Sequence, residues 1–560
     1  MILSRNQIIN EAVNDFLSKI NPSSPPTPEE IETELLDAIN DSIELANAAI
    51  AVKQRKHKML TELPNRIIAK IVLKLHPIRL VCLGGGGREL ALYHDKGKHE
   101  GLYVLDVEPI KRIIQQYNMD MSECDIKEVI EKMKRDAREV YPTDDKDLIA
   151  VNNGIFDYKL KILRPFSPDM VFLSKSGVNY EHTAKNVTIH NDDDGTDWNV
   201  EDWMNSLSDD PEIVELLWQI VGAVIRPNVP WNKSIWLYAT SGNNGKGTLC
   251  ELMRNICGED ACDSISINQF NEDVFLEKLV SISAVITDEN DVGSYVDKAA
   301  KLKAAITGDT ITINRKYLSH LKFKFKGVII QCINELPRIR DRSDSFLRRI
   351  LIVPMTKCFT GCERKYIKED YLRRQEVLEY VLYKVLNMDY DSLSEPQVCR
   401  DLMKEYITYN DPMQAFWNEF KDKFVWDFLP NSFLYDLYKS WFVKNYPNGK
   451  MLYKDHFHID LRCKVASDTE WTALDSSRYP GDKINMPEPL IIQYNLTEWM
   501  DSSYTGANPD RKDIPGADKI NGSYRGIQRN VPRNTICHDP FAAESEQTVD
   551  DNNNEKEKTV

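Results

Sequence analysis

The chain has 560 residues, 42% hydrophobic and 28% charged, a globular composition that excludes wholesale disorder and a collagen-like fibre. Lysine plus arginine number 71 against 87 acids, a net charge of −16. That balance excludes a protein that coats nucleic acid or an anionic membrane with its whole surface, so any polyanion site is a local basic patch.

The N-terminal MILSRNQIINEAVNDF lacks a basic-then-apolar export pattern, because Glu11 and Asp15 interrupt it. After NPSSPPTP, Thr27, Pro28 and Glu30 supply an N-cap, a first-turn proline and a capping-box acid. They predict a helix running to about Lys58, with the basic run KQRKHK in its last turns. Residues 77–110 read as β-rich. The run Gly84 to Gly87 lacks a following Gly-Lys pair and predicts a hairpin turn. Asp106 and Glu108 are expected as solvent-facing acids on a strand. Helical patterns fill 109–137, extended ones 148–175; a polar loop is expected at 190–197 and helices at 198–225.

The longest apolar run, LLWQIVGAVI, holds Gln219 and falls short of the ~18 residues of a membrane span. It predicts a buried helix, and the chain is expected to be soluble and unexported. Eleven dispersed cysteines fit a reducing compartment. Cys358 and Cys362 are expected in a surface loop, and His456 and His458 alternate in an expected strand. Residues 538–560 carry seven acids and two lysines and predict a disordered acidic tail.

The strongest chemical signal is SIWLYATSGNNGKGTLCELMRNICG. An apolar strand meets the loop Gly242, Asn243, Asn244, Gly245, Lys246, Gly247, Thr248, then an amphipathic helix. Glycines let backbone N–H groups approach phosphate oxygens. The helix start adds partial positive charge, and Lys246 supplies a point charge. The loop departs from G-x-x-x-x-G-K-[ST]: Thr240 stands at the first glycine and Gly247 at the Mg²⁺-binding hydroxyl. Thr248, one residue later, is the nearby hydroxyl.

Three later segments follow in an order that suits ATP hydrolysis. LVSISAVITDEN is an apolar strand ending in Asp288 and Glu289, 42 residues after Lys246. A strand-end Asp can hold Mg²⁺ while the next acid deprotonates water. GVIIQCINELP ends in Asn334, whose amide can contact a γ-phosphate. DSFLRRILIVP places Arg348 and Arg349 before a further strand, where a guanidinium can neutralise phosphoryl charge, also across a subunit boundary. Between them, residues 314–327 carry Arg315, Lys316, Lys322, Lys324 and Lys326 and no acid. Leu321 to Lys326 alternates apolar and basic, so the lysines share one strand face. With Tyr317 near the turn, such a row can track a single-stranded phosphate backbone.

The order SGNNGKGT, AVITDEN, TGDTITINRKY, CINELP, FLRRI resembles the superfamily 3 helicases, above all the phage, plasmid and poxvirus type often described as primase-helicases. The resemblance covers about 145–465 and implies an AAA+-like α/β P-loop core, with ATP and Mg²⁺ as cofactors. It implies that Lys246 binds phosphate, that Asp288 and Glu289 are the Walker B acids and that Asn334 is the sensor. Arg349 or Arg348 would be the finger on the next subunit's ATP, and Lys316 and Tyr317 would lie in a pore hairpin gripping DNA. Mg²⁺ would take Asp288 and either Thr248 or water.

The domains read as a helical region 1–75, a small α+β region 76–144, a helicase-preceding domain 145–230 and the motor 231–365. A helical linker with a winged-helix-like domain at 366–500 and an acidic tail at 501–560 follow. The expected protein is a hexameric, ring-forming DNA helicase of a phage, plasmid or other mobile element, in the host cytoplasm. It would act on single-stranded or forked DNA without a membrane. No primase catalytic set or zinc module is visible in 1–145, so priming would fall to a separate protein. The competing readings are a replication initiator that binds an origin, a non-nucleic-acid AAA+ remodeller or small-molecule kinase, and a binding module with a decayed ATPase.

Overall fold

The computed structural model describes residues 4–21, 24–50, 55–290, 295–296, 299–316, 320–339, 344–446, 451–474, 479–501, 504–505 and 512–531. The chain divides into two compact units, Met1–Tyr406 and Ile407–Val560.

In the first unit, Thr27 caps the helix Pro28–Ala48 with the expected box to Glu30. The helix ends at Ala48, short of Lys58. The chain instead turns back: Asn47 donates to the His57 carbonyl at 2.9 Å and accepts from its N–H at 2.7 Å. Arg55 to Lys58 are not helical, and Arg5 donates to the Lys58 carbonyl; the start of the basic run, Lys53 and Gln54, lies outside the described residues. Strands β1 (Ile78–Gly84), β2 (Gly87–Tyr93), β3 (Tyr103–Val104) and β4 (Glu139–Val140) form a sheet in the order β3-β2-β1-β4. The β1–β2 turn is the expected glycine hairpin, with Gly84, Gly85 and Gly86 at φ of +82°, +59° and +95°. Asp106 and Glu108 are not on a strand. Pro109 sits in the first turn of the helix Glu108–Gln115, and Asp106 accepts from the Glu108 N–H. Leu35, Ile67, Leu90 and Val129 share one core, so the regions expected as 1–75 and 76–144 are one body.

The next stretch is a three-stranded antiparallel sheet, Leu148–Val151, Gly154–Asp157 and Ile162–Arg164. Residues 190–197, expected as a loop, form a hairpin between Ile189–Asn191 and Thr196–Trp198, because Gly195 at φ +66° permits a tight turn. The predicted buried helix is Pro211–Ala223; its buried Gln219 accepts from the Ser394 N–H.

The motor is a five-stranded parallel sheet of β5 (Ser234–Tyr238), β6 (Cys262–Asp263), β7 (Ala284–Thr287), β10 (Val328–Ile333) and β11 (Ile350–Pro354). Its order is β6-β7-β10-β5-β11. β7 and β10 are buried throughout, which is why they read as unbroken apolar runs. Between them stands a separate antiparallel hairpin, β8 (Thr310–Ile313) and β9 (Leu321–Lys324).

The second unit packs the helices Pro412–Phe420, Asn431–Asn445 and Lys454–Val465 over an aromatic core with Phe416, Trp417, Trp441 and Phe457. Its strands Phe428–Pro430, Gly526–Arg529 and Trp471–Ala473 form one sheet with Gly526–Arg529 in the middle. The boundary expected at 501 therefore lies too early. Gly526–Arg529 completes this sheet, and Arg529 pairs with Asp427 at 3.1 Å. His456 and His458 lie on the Lys454–Val465 helix, not a strand, two residues apart and on diverging directions. The acidic stretch 538–560 lies outside the described residues.

Candidate functional site

A parallel sheet offers its ligand crevice at the carboxyl ends of its strands, where the order reverses. Here β5 is flanked by β10 and β11, with Tyr238 level with Ile333 and Pro354. The loop after β5 is the predicted phosphate loop. Asn243 (φ +54°) and Gly245 (φ +82°) take left-handed backbone, which asparagine and glycine tolerate best. Gly245 is the N-cap of the helix Lys246–Cys257 and supplies no side chain, so the first N–H groups stay available to an anion.

The two asparagines hold the loop. Asn244 is buried and donates to the Lys357 carbonyl at 2.8 Å and to Ser241 Oγ at 3.1 Å. Asn243 donates to Glu363 at 2.8 Å, and its carbonyl accepts from the Phe359 N–H at 2.8 Å. Lys246 is 9% exposed and donates to Asn244 Oδ1 at 3.2 Å. Burial holds its ammonium below the usual lysine range, against the opposing pull of Cys332 and Cys250. Around Gly247 there is room: a Cβ there would meet only Lys368 Nζ, at 3.7 Å. Thr248 lines a cavity of about 490 Å³ beside the loop, with Gly245, Trp203, Leu207 and Phe359.

Asp288 follows β7 directly, and Glu289 beside it is exposed. Arg254 Nη1 donates to Asp288 Oδ2 at 2.9 Å. Arg254 Nη2 lies 2.9 Å from Oδ1, but off the hydrogen-bonding direction, so Oδ1 is buried with electrostatic company and no bond. Asn334 is the first residue after β10 and is exposed. Lys246, Asp288, Glu289 and Asn334 thus all lie at the carboxyl edge.

Arg348 and Arg349 do not. They precede β11, and the Arg349 carbonyl accepts from Ser234 N–H at the sheet's amino edge. Four residue steps at about 3.3 Å each separate that edge from Pro354, so they cannot serve the same chain's phosphate loop. Arg349 is tied to the Ser345 carbonyl, while Arg348 is exposed.

The hairpin shows the expected alternation: Leu321, Phe323 and Phe325 are buried, and Lys322, Lys324 and Lys326 are exposed. Arg315 departs from the expected row. It is only 14% exposed and pairs with Glu89 of β2 at 2.7 Å. Lys316 is exposed, and Tyr317 lies outside the described residues. The glycine turn packs on the lysine strand: a Cβ on Gly87 would fall 1.8 Å from the Lys322 carbonyl oxygen.

Sequence reasoning missed Arg254, Asn290 and the thiol pair. Arg254 stands four residues after Cys250 and eight after Lys246, one helix face by spacing. Asn290 bridges the Ile267 N–H and the Cys332 carbonyl, both at 3.0 Å. Cys250 and Cys332 bring their sulfurs to 3.4 Å beneath the site, and that contact and burial push the Cys250 thiol well up. Cys358 and Cys362 are exposed, as expected.

Comparison with known proteins finds three family matches along the chain. A "D5 N terminal like" family matches residues 29–275, a family of unknown function matches 237–349, and a "Poxvirus D5 protein-like" family matches 408–479. The chain is thus similar to poxvirus D5-type proteins over residues 29–275 and 408–479. An Acanthamoeba polyphaga mimivirus protein described as "Putative helicase" is 24% identical over 384 residues. The match covers 66% of this chain, and the chain spans only about a third (34%) of that relative's length. Apo structures of the NrS-1 C-terminal region align with 82% and 84% of this D5-like chain and with 99% and 100% of theirs, at 12% identity and TM-scores of 0.37 and 0.39. Among the described residues no helix is long and apolar enough to cross a membrane.

Proposed function

We propose that this D5-like chain is an ATP-driven DNA helicase that assembles as a homo-hexameric ring and moves on single-stranded or forked DNA. One observation carries the reading: Lys246, Asp288, Glu289 and Asn334 all stand at the carboxyl edge of the parallel sheet, while Arg348 and Arg349 stand at the opposite edge. A finger there is useful only to a neighbouring subunit.

In this mechanism Lys246 and the helix N-terminus neutralise the β- and γ-phosphates. The cavity beside Thr248 receives the base and ribose. Asp288, with its unbonded buried oxygen, and Thr248 are oxygen donors that suit a hard cation, and Mg²⁺ held there would spread the charge of the phosphates. Glu289 takes the proton from the attacking water, Asn334 orients it, and Arg348 or Arg349 of the next subunit balances the charge that develops on the γ-phosphate. DNA phosphates follow the hairpin residues Lys316, Tyr317, Lys322, Lys324 and Lys326. Priming falls to a separate protein, and the setting is the replication of a viral, plasmid or other mobile element.

The test is ATPase activity with and without single-stranded DNA, with unwinding of forks of both polarities. Lys246→Ala should lower turnover by at least about 100-fold and abolish unwinding, since one preorganised charge at the transferring phosphoryl carries that magnitude. Retained DNA-stimulated turnover in that variant would overturn the site.

A second reading, origin recognition, draws on the second unit. Its helices Pro412–Phe420, Asn431–Asn445 and Lys454–Val465 and its strands Phe428–Pro430, Trp471–Ala473 and Gly526–Arg529, with the last strand central, follow the order of a winged helix. Footprinting on replicon DNA that shows specific protection, lost on removal of 407–560, would favour an initiator role.

A further inference from the structure

Away from the phosphate loop, a cavity of about 400 Å³ opens between the glycine turn, the lysine strand and the loop after β4. That volume lies in the range of small-molecule sites. Its floor is apolar, with Leu83, Phe172, Leu279 and Phe323 all buried. Its rim is cationic. Arg88, Lys324 and Lys326 line it against a single acid, Asp144. Arg88 is half engaged by Glu139 at 2.8 Å but keeps 57% of its side chain exposed. The Lys324 stem lies along Gly84, where a Cβ would come within 3.1 Å, so the absence of a side chain there lets the lysine reach the rim. Lys326 is exposed as a residue, yet partial desolvation of its ammonium holds it below its usual range, with Lys324 adding to that and Asp144 opposing it. Tyr141 stands at the mouth with 70% of its surface exposed.

An apolar floor, an exposed ring and clustered cations are the complement of one chemical unit. The base of a nucleotide stacks on aromatic and apolar surface while its phosphate meets lysine and arginine.

We propose that this cavity is a second nucleotide site, taking one nucleotide unit with its base against Tyr141 and the apolar floor and its phosphate between Arg88, Lys324 and Lys326. The unit comes from a bound single strand or from a free nucleotide. The single-strand source rests on the helicase reading above; the free-nucleotide source does not.

The test is photo-crosslinking of the full chain with two probes, a 4-thiothymidine-containing dT oligonucleotide and free 4-thiothymidine triphosphate, with adducts mapped by peptide mass spectrometry. Adducts at Tyr141 or in 323–328 from the oligonucleotide are expected. Arg88→Ser with Lys326→Ser should then weaken oligonucleotide binding about 5–10-fold. The salt slope should fall by about 1.4, at roughly 0.7 per lost phosphate contact. An unchanged unfolding midpoint checks that the variant folds. Adducts there from the free triphosphate alone would keep the site and assign it to free nucleotide. Adducts from the oligonucleotide confined to 315–322, with none in the cavity from either probe, would overturn the proposal and leave the helicase reading standing. Absence of oligonucleotide binding, with triphosphate adducts at Tyr141, would do the reverse.

Discussion

The phosphate edge and the lysine hairpin were both marked by strings of residues, yet they relate to their strings differently. At the sheet's carboxyl edge Lys246, Asp288, Glu289 and Asn334 follow the ends of their strands as the motif order has them, because a strand end fixes the residue that follows it. At the hairpin, alternation set the faces correctly, but partners from the N-terminal body altered which cations remain available. Arg315 is withdrawn into a pair with Glu89, and the strand that carries Lys322 and Lys324 lies against a glycine turn. Backbone-anchored chemistry transfers from sequence to structure, whereas long cationic side chains answer to whatever packs beside them.

The comparison can be broken first at Arg254. Its guanidinium donates to Asp288 Oδ2 and faces Oδ1 without bonding it, so Arg254→Ala should lower kcat about 10–100-fold, the usual effect of losing a group that orients a ligand of the kind proposed above for Mg²⁺. Its apparent Mg²⁺ dependence should shift as well, measured by ATPase titrations against the metal. An unchanged Mg²⁺ profile would make the pair merely structural.

Gly87→Ala comes next. Its Cβ would overlap the Lys322 carbonyl, and backbone gives way reluctantly, so a loss of about 2–3 kcal/mol of stability is expected in urea unfolding. A neutral result would show that the glycine turn does not rest on the hairpin.

The smallest effect concerns the withdrawn arginine. Arg315→Ala and Glu89→Ala, singly and together, should give a coupling of about 1 kcal/mol in a double-mutant cycle, because both groups are largely but not wholly buried. Oligonucleotide affinity should barely change in Arg315→Ala. A loss as large as that of Lys316→Ala would return Arg315 to the DNA-facing row.

Much of this molecule was legible in order along the chain. The capping box at Thr27, the glycine hairpin at 84–87, the buried Pro211–Ala223 helix and the four apolar strands of the motor arise from local patterns, whereas its short edge strand Cys262–Asp263 carried no such signal. The misreadings share one cause. Asp106 and Glu108, the stretch 55–58, His456 and His458 and the Gly526–Arg529 strand are polar or short segments whose conformation local pattern does not decide. The first obeys a proline at a helix start, and the second is pulled back by Asn47. The strand exists because two distant strands leave a gap for it.

By itself, the sequence determined which residues stand at the carboxyl edge of the sheet and the apolar strands that present them, since a βα turn needs only its own glycines and the run before it. The tertiary structure alone decided that Arg254 holds Asp288, that Cys250 meets Cys332, that Arg315 is spent on Glu89 and that the two Arg348–Arg349 guanidinia stand at the far edge. These depend on which strand lies beside which. Parallel order β6-β7-β10-β5-β11 is set by packing among segments far apart in the chain, and no local pattern encodes it.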